Sequence, residues 1–533
     1  MPDHLKALSV ILVLAAVVFV FAKAPACAVA TARADFDRRR HLWFGVTLVA
    51  FLAHNFWVYI VAAAALLFLA QRRESNKLAM YCFLLLALPA INAALSLGIY
   101  LFDMHYYRLL SLVILLPAFL FLRRQPDTEP FGRLLPDKLL AGYFIFQFLL
   151  IFPVTTFTNS LRVSVFLPFI DVFLPYYVAS RSLKNLQGFR DVLMAFVVGA
   201  MVLSLIGVFE YARHWLLYAS LDNAMGLHWG AGGYQSRGGD LRAVGAIGAP
   251  IPFGYAVAVA MGFFVYVRKL VPNQKVWGLG MLLLVAGIIS SLSRGPWVGV
   301  AAMLLVFVAM GPSPVPRMAK LGLLGVIVVP ALFIIPAGQA IIDRLPWVGT
   351  IEAENVTYRQ QLLQTSIDLI ARNPFFGSYD FRNTSELEAL RSGAGMIDLV
   401  NSFAGIGLAH GLVGLSLFVG FFMAVLFGIF KSMRSLPDRN SEIYLLGQVL
   451  FSTLVGILII IGTVSSVLVV PIIYWSVAGL GVAYARMVAL AKAPAKVPET
   501  EVPSRFQPAT MQSGSYYHYR KQSPQNNSDQ TSK

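Results

Sequence analysis

Apolar runs separated by short polar segments recur along most of this chain, and the most informative pair lies near its middle. Trp277–Leu292 and Trp297–Met310 adjoin across Ser290–Gly299, which reads SSLSRGPWVG. Neither run reaches the ~20 residues needed to cross a bilayer, and one continuous helix would bury the Arg294 guanidinium at its middle. Lys269 and Lys275 precede the pair, and Arg317 and Lys320 follow it. The positive-inside rule places both flanks in the cytoplasm. The chain is therefore expected to cross outward, turn at Ser293-Arg294-Gly295-Pro296 and return. Pro296 suits the start of the second helix. Arg294 then stands at the outer face at a helix start, where backbone N–H groups favour an anion. It either binds something negative there or snorkels to anchor the loop.

The same reading extends along the chain. From Lys77 onward spans are expected near 78–101, 109–122, 139–152, 163–178, 191–211, 243–267, 276–292, 297–311, 321–342, 401–430, 443–462 and 465–485. These twelve crossings begin and end inside, which agrees with the basic start of the tail at Arg486, Lys492 and Lys496. Ala7–Ala22 reads as an uncleaved anchor: ACAVA (26–30) imitates a cleavage site, but Arg33 and Arg38–Arg40 follow and resist export. Leu42–Ala70 is either one pass or a hairpin broken at His54-Asn55. The expected fold is an all-α, polytopic integral membrane protein with about 12–15 transmembrane segments. Its expected divisions are N-terminal membrane segments (1–76), a main bundle (77–342), a large outer loop (343–400), C-terminal helices (401–486) and a disordered cytoplasmic tail (487–533).

Composition supports that class and narrows the partners. The 533 residues are 58% hydrophobic and 13% charged, with mean hydropathy +0.70, which excludes a soluble enzyme. The net charge of +16 sits in short clusters between apolar runs, so it reports membrane orientation and not nucleic acid. Cys27 and Cys82 lie in or beside apolar segments and supply neither a disulfide framework nor a zinc site.

Two sizeable outer segments remain, roughly 212–242 and 343–400. The second carries an amphipathic stretch, Tyr358–Arg372, expected to lie at the outer interface until Asn373-Pro374 stops it. Basic residues divide by type across the membrane. Apart from Lys6 and Lys23, whose side is open, the 13 lysines fall on the inner side, whereas the outer side carries arginine. Arginine grips phosphate or carboxylate oxygens with a planar fork and keeps its charge. The outer face is therefore expected to hold a phosphorylated or acidic ligand, with Arg242 and Arg294 its principal contacts. Several other outer arginines are expected to pair with Asp343, Glu352, Glu354, Asp368, Asp380, Glu386 or Glu388.

Weaker signals accompany these. Asp171 lies in an apolar stretch where VFLPF and VFLPY recur at a seven-residue spacing. It is either a functional carboxylate or a cap for the helix broken at Pro175. Asp35-Phe36-Asp37, among arginines, reads as a solvated charge run. His105, His214 and His228 are outer-side bases or structural residues. No HExxH, CxxC or Walker-type loop supports a metal hydrolase or an ATPase.

Four blocks, LRAVGAIGAPIPFG (241–254), SSLSRGPWVG (290–299), YRQQLLQTSIDLIARNPFFG (358–377) and DLVNSFAGIGLAHGLVGL (398–415), together resemble the O-antigen polymerase and O-antigen ligase superfamily. The last two are most similar to its exopolysaccharide-polymerase branch. The resemblance implies a multi-pass enzyme of the bacterial inner membrane, active at its periplasmic face, with a cytoplasmic C-terminus. It implies glycan transfer from an undecaprenyl-diphosphate carrier to an acceptor sugar, without metal or other cofactor. It also implies the bilayer, and chain-length regulator and flippase proteins, as partners. The family's two outer arginines match Arg242 and Arg294, which are expected to be catalytic. Arg359, Asn401 and Asp171 are expected to bind substrate. Ligases of the family place a histidine immediately before the Asn of this block, but here that position is Val400. The departure weakens the ligase reading and makes Asp398 the first candidate for the base. Spans nearly free of charge argue against the rival reading, a transporter.

Overall fold

The structure is a computed structural model and describes residues 2–227, 233–320, 322–323, 353–391, 399–467 and 469–492. Its helices are α1 (Asp3–Val29), α2 (Arg33–Leu52), α3 (Phe56–Gln71), α4 (Lys77–Leu84), α5 (Tyr106–Arg124), α6 (Leu135–Ile151), α7 (Phe157–Ser182) and α8 (Leu186–Arg213). There follow α9 (Pro250–Tyr266), α10 (Gln274–Ser290), α11 (Arg294–Ala309), α12 (Ala353–Arg372), α13 (Ser402–Arg434), α14 (Glu442–Ile461) and α15 (Val470–Lys492). Among the described residues eight helices are long and apolar enough to cross a membrane, and α3, α10 and α11 are shorter apolar helices. The chain is an all-α multi-pass membrane protein. The expected span at 321–342 and the expected tail lie almost wholly outside the described residues.

Asparagine starts several of these helices. Asn55, Asn76, Asn185, Asn273 and Asn401 each accept, through the side chain, a backbone N–H of the helix that follows. Such caps satisfy donors that have no intrahelical partner. Asn55 divides 42–70 into α2 and α3, the broken form of that run.

The expected span at 78–101 does not form. Helix α4 stops at Leu84, and β1 (Asn92–Leu97) pairs antiparallel with β2 (Ile99–His105). Pro89 brings no N–H to continue a helix, and Gly98, at φ 77°, makes the tight turn between the strands.

Helix α8 is buried over most of its length, among α1, α4, α9 and α10, as expected of a helix apolar all round. Its two ends hold different charges. At the first, Asp191 accepts from Arg39 (2.8 Å), which also pairs with Glu74 (2.6 Å). The other end holds Glu210, about 29 Å further along the axis at the helical rise per residue. Helices α11 and α14 approach closely because small residues face each other. A Cβ on Gly456 would come within 3.1 Å of the Gly299 carbonyl and 2.9 Å of Met303 Cβ.

The amphipathic stretch expected at 358–372 is helical, within α12, and part of its apolar side packs against the protein. Leu362 and Leu369 are buried with Phe381, Leu387 and Leu408 of α13. Leu363 and Ile367, on the other face, are exposed. Beyond α12 the backbone enters a break in α13 at Gly411, whose φ is 62°. Leu412 N–H donates to Pro374 O (2.7 Å), and Ser378 N–H donates to Leu408 O (2.8 Å). The loop thus satisfies groups that the broken helix leaves open.

Candidate active site

The turn from α10 to α11 consists of Ser291, Leu292 and Ser293. Leu292 is buried with φ at 46°, a left-handed conformation that costs an L-residue about 1–2 kcal/mol. A segment between residues 235 and 245 meets the carbonyls at this helix end. Ala243 N–H donates to Ser290 O (3.0 Å), Arg242 Nε to Ser291 O (3.3 Å), and the Arg237 guanidinium to Leu292 O. The C-terminal carbonyls of a helix carry partial negative charge, which suits two guanidinium groups.

Arg242 also donates from Nη2 to Ser293 Oγ (3.0 Å). Ser293 is the N-cap of α11, yet its side chain caps no helix N–H and donates to Ser291 O (3.0 Å). The turn thus joins two opposite helix ends. The α10 end, rich in carbonyls, holds Arg237 and Arg242, whereas the α11 end, rich in N–H groups, begins with Arg294 and favours an anion.

These groups line a cavity of about 360 Å³. Arg237, Arg242, Arg294 and Arg359 supply every charged residue of its described lining, beside Ser293, Gln360, Asn401 and Thr463. Ile251, Val298, Leu362, Leu399, Val400 and Ala404 provide an apolar wall. Four guanidinium groups give the described lining a positive charge, which suits an anion.

The far wall is stitched from two loops. Asn401 caps α13 by accepting from Phe403 N–H (2.9 Å) and Ala404 N–H (3.1 Å). Ser402 Oγ donates to Val464 O (2.6 Å) and Ser465 Oγ to Leu399 O (2.8 Å), which fixes 399–402 beside Thr463.

Of the residues expected from sequence, Arg242, Arg294, Arg359 and Asn401 meet in this cavity. Asp398 lies outside the described residues, three positions before Asn401, as does His228. Asp171 is not in the cavity lining. It sits in a π-helical turn of α7 and is held by the Arg108 guanidinium, Nη2 to Oδ2 at 2.8 Å. His105 caps α5, and His214 ends α8 in the left-handed conformation.

Residues 279–419 match the family described as O-Antigen ligase. That match supports the O-antigen polymerase and ligase superfamily over the residues it covers. The matched family supports a glycosyl-transferring membrane enzyme of the ligase or polymerase type. No curated protein matches the chain. The matched residues include Arg294, Arg359 and Asn401, while Arg242 and Arg237 join the family region through contacts with the α10–α11 turn.

Two contributors escaped the sequence reading. Arg237 was visible as an outer-side arginine with nothing to separate it from the rest. Glu210 had a stronger signal, as a carboxylate within an apolar run, where charge marks function by default. It is fully buried and accepts the N–H groups of Leu217 (3.0 Å), Val244 (3.1 Å) and Gly245 (2.8 Å).

Proposed function

We propose that this enzyme polymerises undecaprenyl-diphosphate-linked oligosaccharide repeat units at the periplasmic face of the bacterial inner membrane, in the manner of an exopolysaccharide or O-antigen polymerase. The observation that carries the proposal is the convergence of Arg242 and Arg294 on one cavity, across a turn that joins opposite helix ends. In the transfer, the bond between the anomeric carbon and the diphosphate oxygen breaks, and a bond from that carbon to the acceptor hydroxyl oxygen forms. Negative charge grows on the leaving diphosphate, and fixed guanidinium groups stabilise it best where water is scarce. Arg242 and Arg294 take that role, with Arg359 contributing from α12. Asn401 contacts the glycan, and Ile251 and Val298 receive the start of the lipid. The acceptor proton passes to a base, for which Asp398 is the candidate.

The test is an in vitro reaction of purified protein with lipid-linked repeat unit and a chelator, scored for a ladder of products. A ladder that needs Arg242 and Arg294 supports the reading, and its absence under conditions where the protein is folded sinks it. The family description favours a second reading, ligation of finished glycan to an acceptor. A deletion strain separates the two. Single repeat units accumulating outside indicate polymerisation, whereas long lipid-linked polymer that is never transferred indicates ligation. Repeat units retained on the inner leaflet would instead point to transport.

A further inference from the structure

We infer that Glu210 is a positioning residue for Arg242. This inference rests on the reading of Arg242 as a contact of the leaving diphosphate. Glu210 ends the apolar length of α8 and is fully buried. One carboxylate oxygen accepts Leu217 N–H, and the other accepts both Val244 N–H and Gly245 N–H. Val244 and Gly245 stand two and three residues after Arg242, and Ala243, directly after Arg242, donates its N–H to Ser290 O (3.0 Å). The backbone that carries Arg242 is therefore clamped from two sides, by a side chain of α8 and by the last carbonyls of α10.

The local geometry leaves this backbone little slack. Gly245 has φ at 49°, and a Cβ there would come within 2.7 Å of Leu203 Cδ1 on α8. A buried carboxylate that accepts several N–H groups is a strong anchor, and removing it leaves those donors unsatisfied in an apolar setting. A small misplacement of a catalytic charge lowers rate far more than binding. Glu210 is not among the residues that line the cavity, so its effect on the reaction passes through the Arg242 segment.

The experiment is a mutant cycle on purified full-length enzyme, with undecaprenyl-diphosphate-linked repeat unit as substrate. Glu210→Ala is expected to lower kcat about 100-fold while KM for the lipid-linked donor changes less than about threefold. Glu210→Gln keeps one acceptor oxygen but loses the charge that strengthens the bonds to Val244 and Gly245, and is expected to lose only about tenfold. Glu210→Ala combined with Arg242→Ala is expected to be no slower than Arg242→Ala alone, because both act through one group. Hydrogen exchange at Val244 and Gly245 should accelerate in the Gln variant relative to wild type while the α10 amides stay protected, and this reading stands even if the Ala variant fails to fold. Independent, multiplicative losses in the double variant, or unchanged exchange at Val244 and Gly245, would overturn the inference. Loss of activity in Arg242→Ala with wild-type kcat in Glu210→Ala would sink this inference alone. Wild-type kcat in Arg242→Ala would sink the reading of the cavity and this inference with it.

Discussion

Arg242 donates from Nη2 to Oγ of Ser293 at 3.0 Å, so the residue just before Arg294 also holds the other arginine of the pair. One hydroxyl therefore sets the relation between two guanidinium groups. Ser293→Ala is expected to lower polymer formation about tenfold, the scale of a lost charge-assisted hydrogen bond. Ser293→Thr, which keeps the hydroxyl, should stay within about threefold of wild type. Ladder assays at matched protein abundance check both. Equal rates for the Ala and Thr variants would show that this hydroxyl sets nothing.

Arg294 begins α11 at the cavity. Arg294→Ala and Arg294→Lys are each expected to abolish polymer while protein abundance stays normal. Lysine keeps the charge but has no planar fork for two phosphate oxygens. Product gels give the answer directly. Chains of wild-type length from the lysine variant would mean that a point charge is enough.

Gly411 breaks α13 where residues 374–378 enter, and its positive φ and the nearby Phe375 carbonyl leave no place for a Cβ. Gly411→Ala is expected to destabilise the protein by about 2–4 kcal/mol. The same change should loosen α12, which carries Arg359 into the cavity. Thermal unfolding in detergent measures the first effect, and limited proteolysis after Arg372 measures the second. An unaltered cleavage pattern would show that α12 is held from elsewhere.

His105 accepts Arg108 N–H at Nδ1 (3.4 Å) as the cap of α5. Burial, and then the Arg108 charge, lower its pKa from 6.5 to about 3. The unfolded chain therefore takes up a proton below pH 6.5 that the folded protein refuses until about pH 3. Stability from this residue is complete above pH 6.5 and declines as pH falls through that window, by up to ~1.4 kcal/mol per pH unit. His105→Asn keeps a capping acceptor and does not titrate. Its melting temperature should fall less than that of wild type between pH 7 and pH 4.5. Parallel melting curves would remove His105 as the source of acid sensitivity.

A reversal beside Arg294 could be read from the chain because an arginine between two runs too short to span has few places to go. The turn itself is Ser291–Ser293, however, and Arg294-Gly295-Pro296, expected in the turn, already belong to α11. The match of Arg242 to the family's arginine came from its block, and the distinction between lysine and arginine came from composition along the topology. The β1–β2 hairpin could not be read, because Leu85–Leu88 and the strands are as apolar as a span, and hydropathy does not register a proline or a turn. What Glu210 holds was hidden for a related reason. Its partners are backbone N–H groups of Leu217, Val244 and Gly245, and backbone leaves no residue signature.

Apolar periodicity and the scarcity of charge were enough to determine a helical membrane protein, since every apolar run must be buried in lipid or protein whatever its neighbours. The turn that starts α11 with an arginine was likewise determined locally. Which arginines share a cavity was decided only by tertiary structure, because Arg242, Arg294 and Arg359 meet through helix ends and loops far apart in sequence. The same holds for Asp171, which a distant arginine claims. Local sequence sets what each segment would bury or expose, and only the packed chain sets which charges stand close enough to act on one ligand.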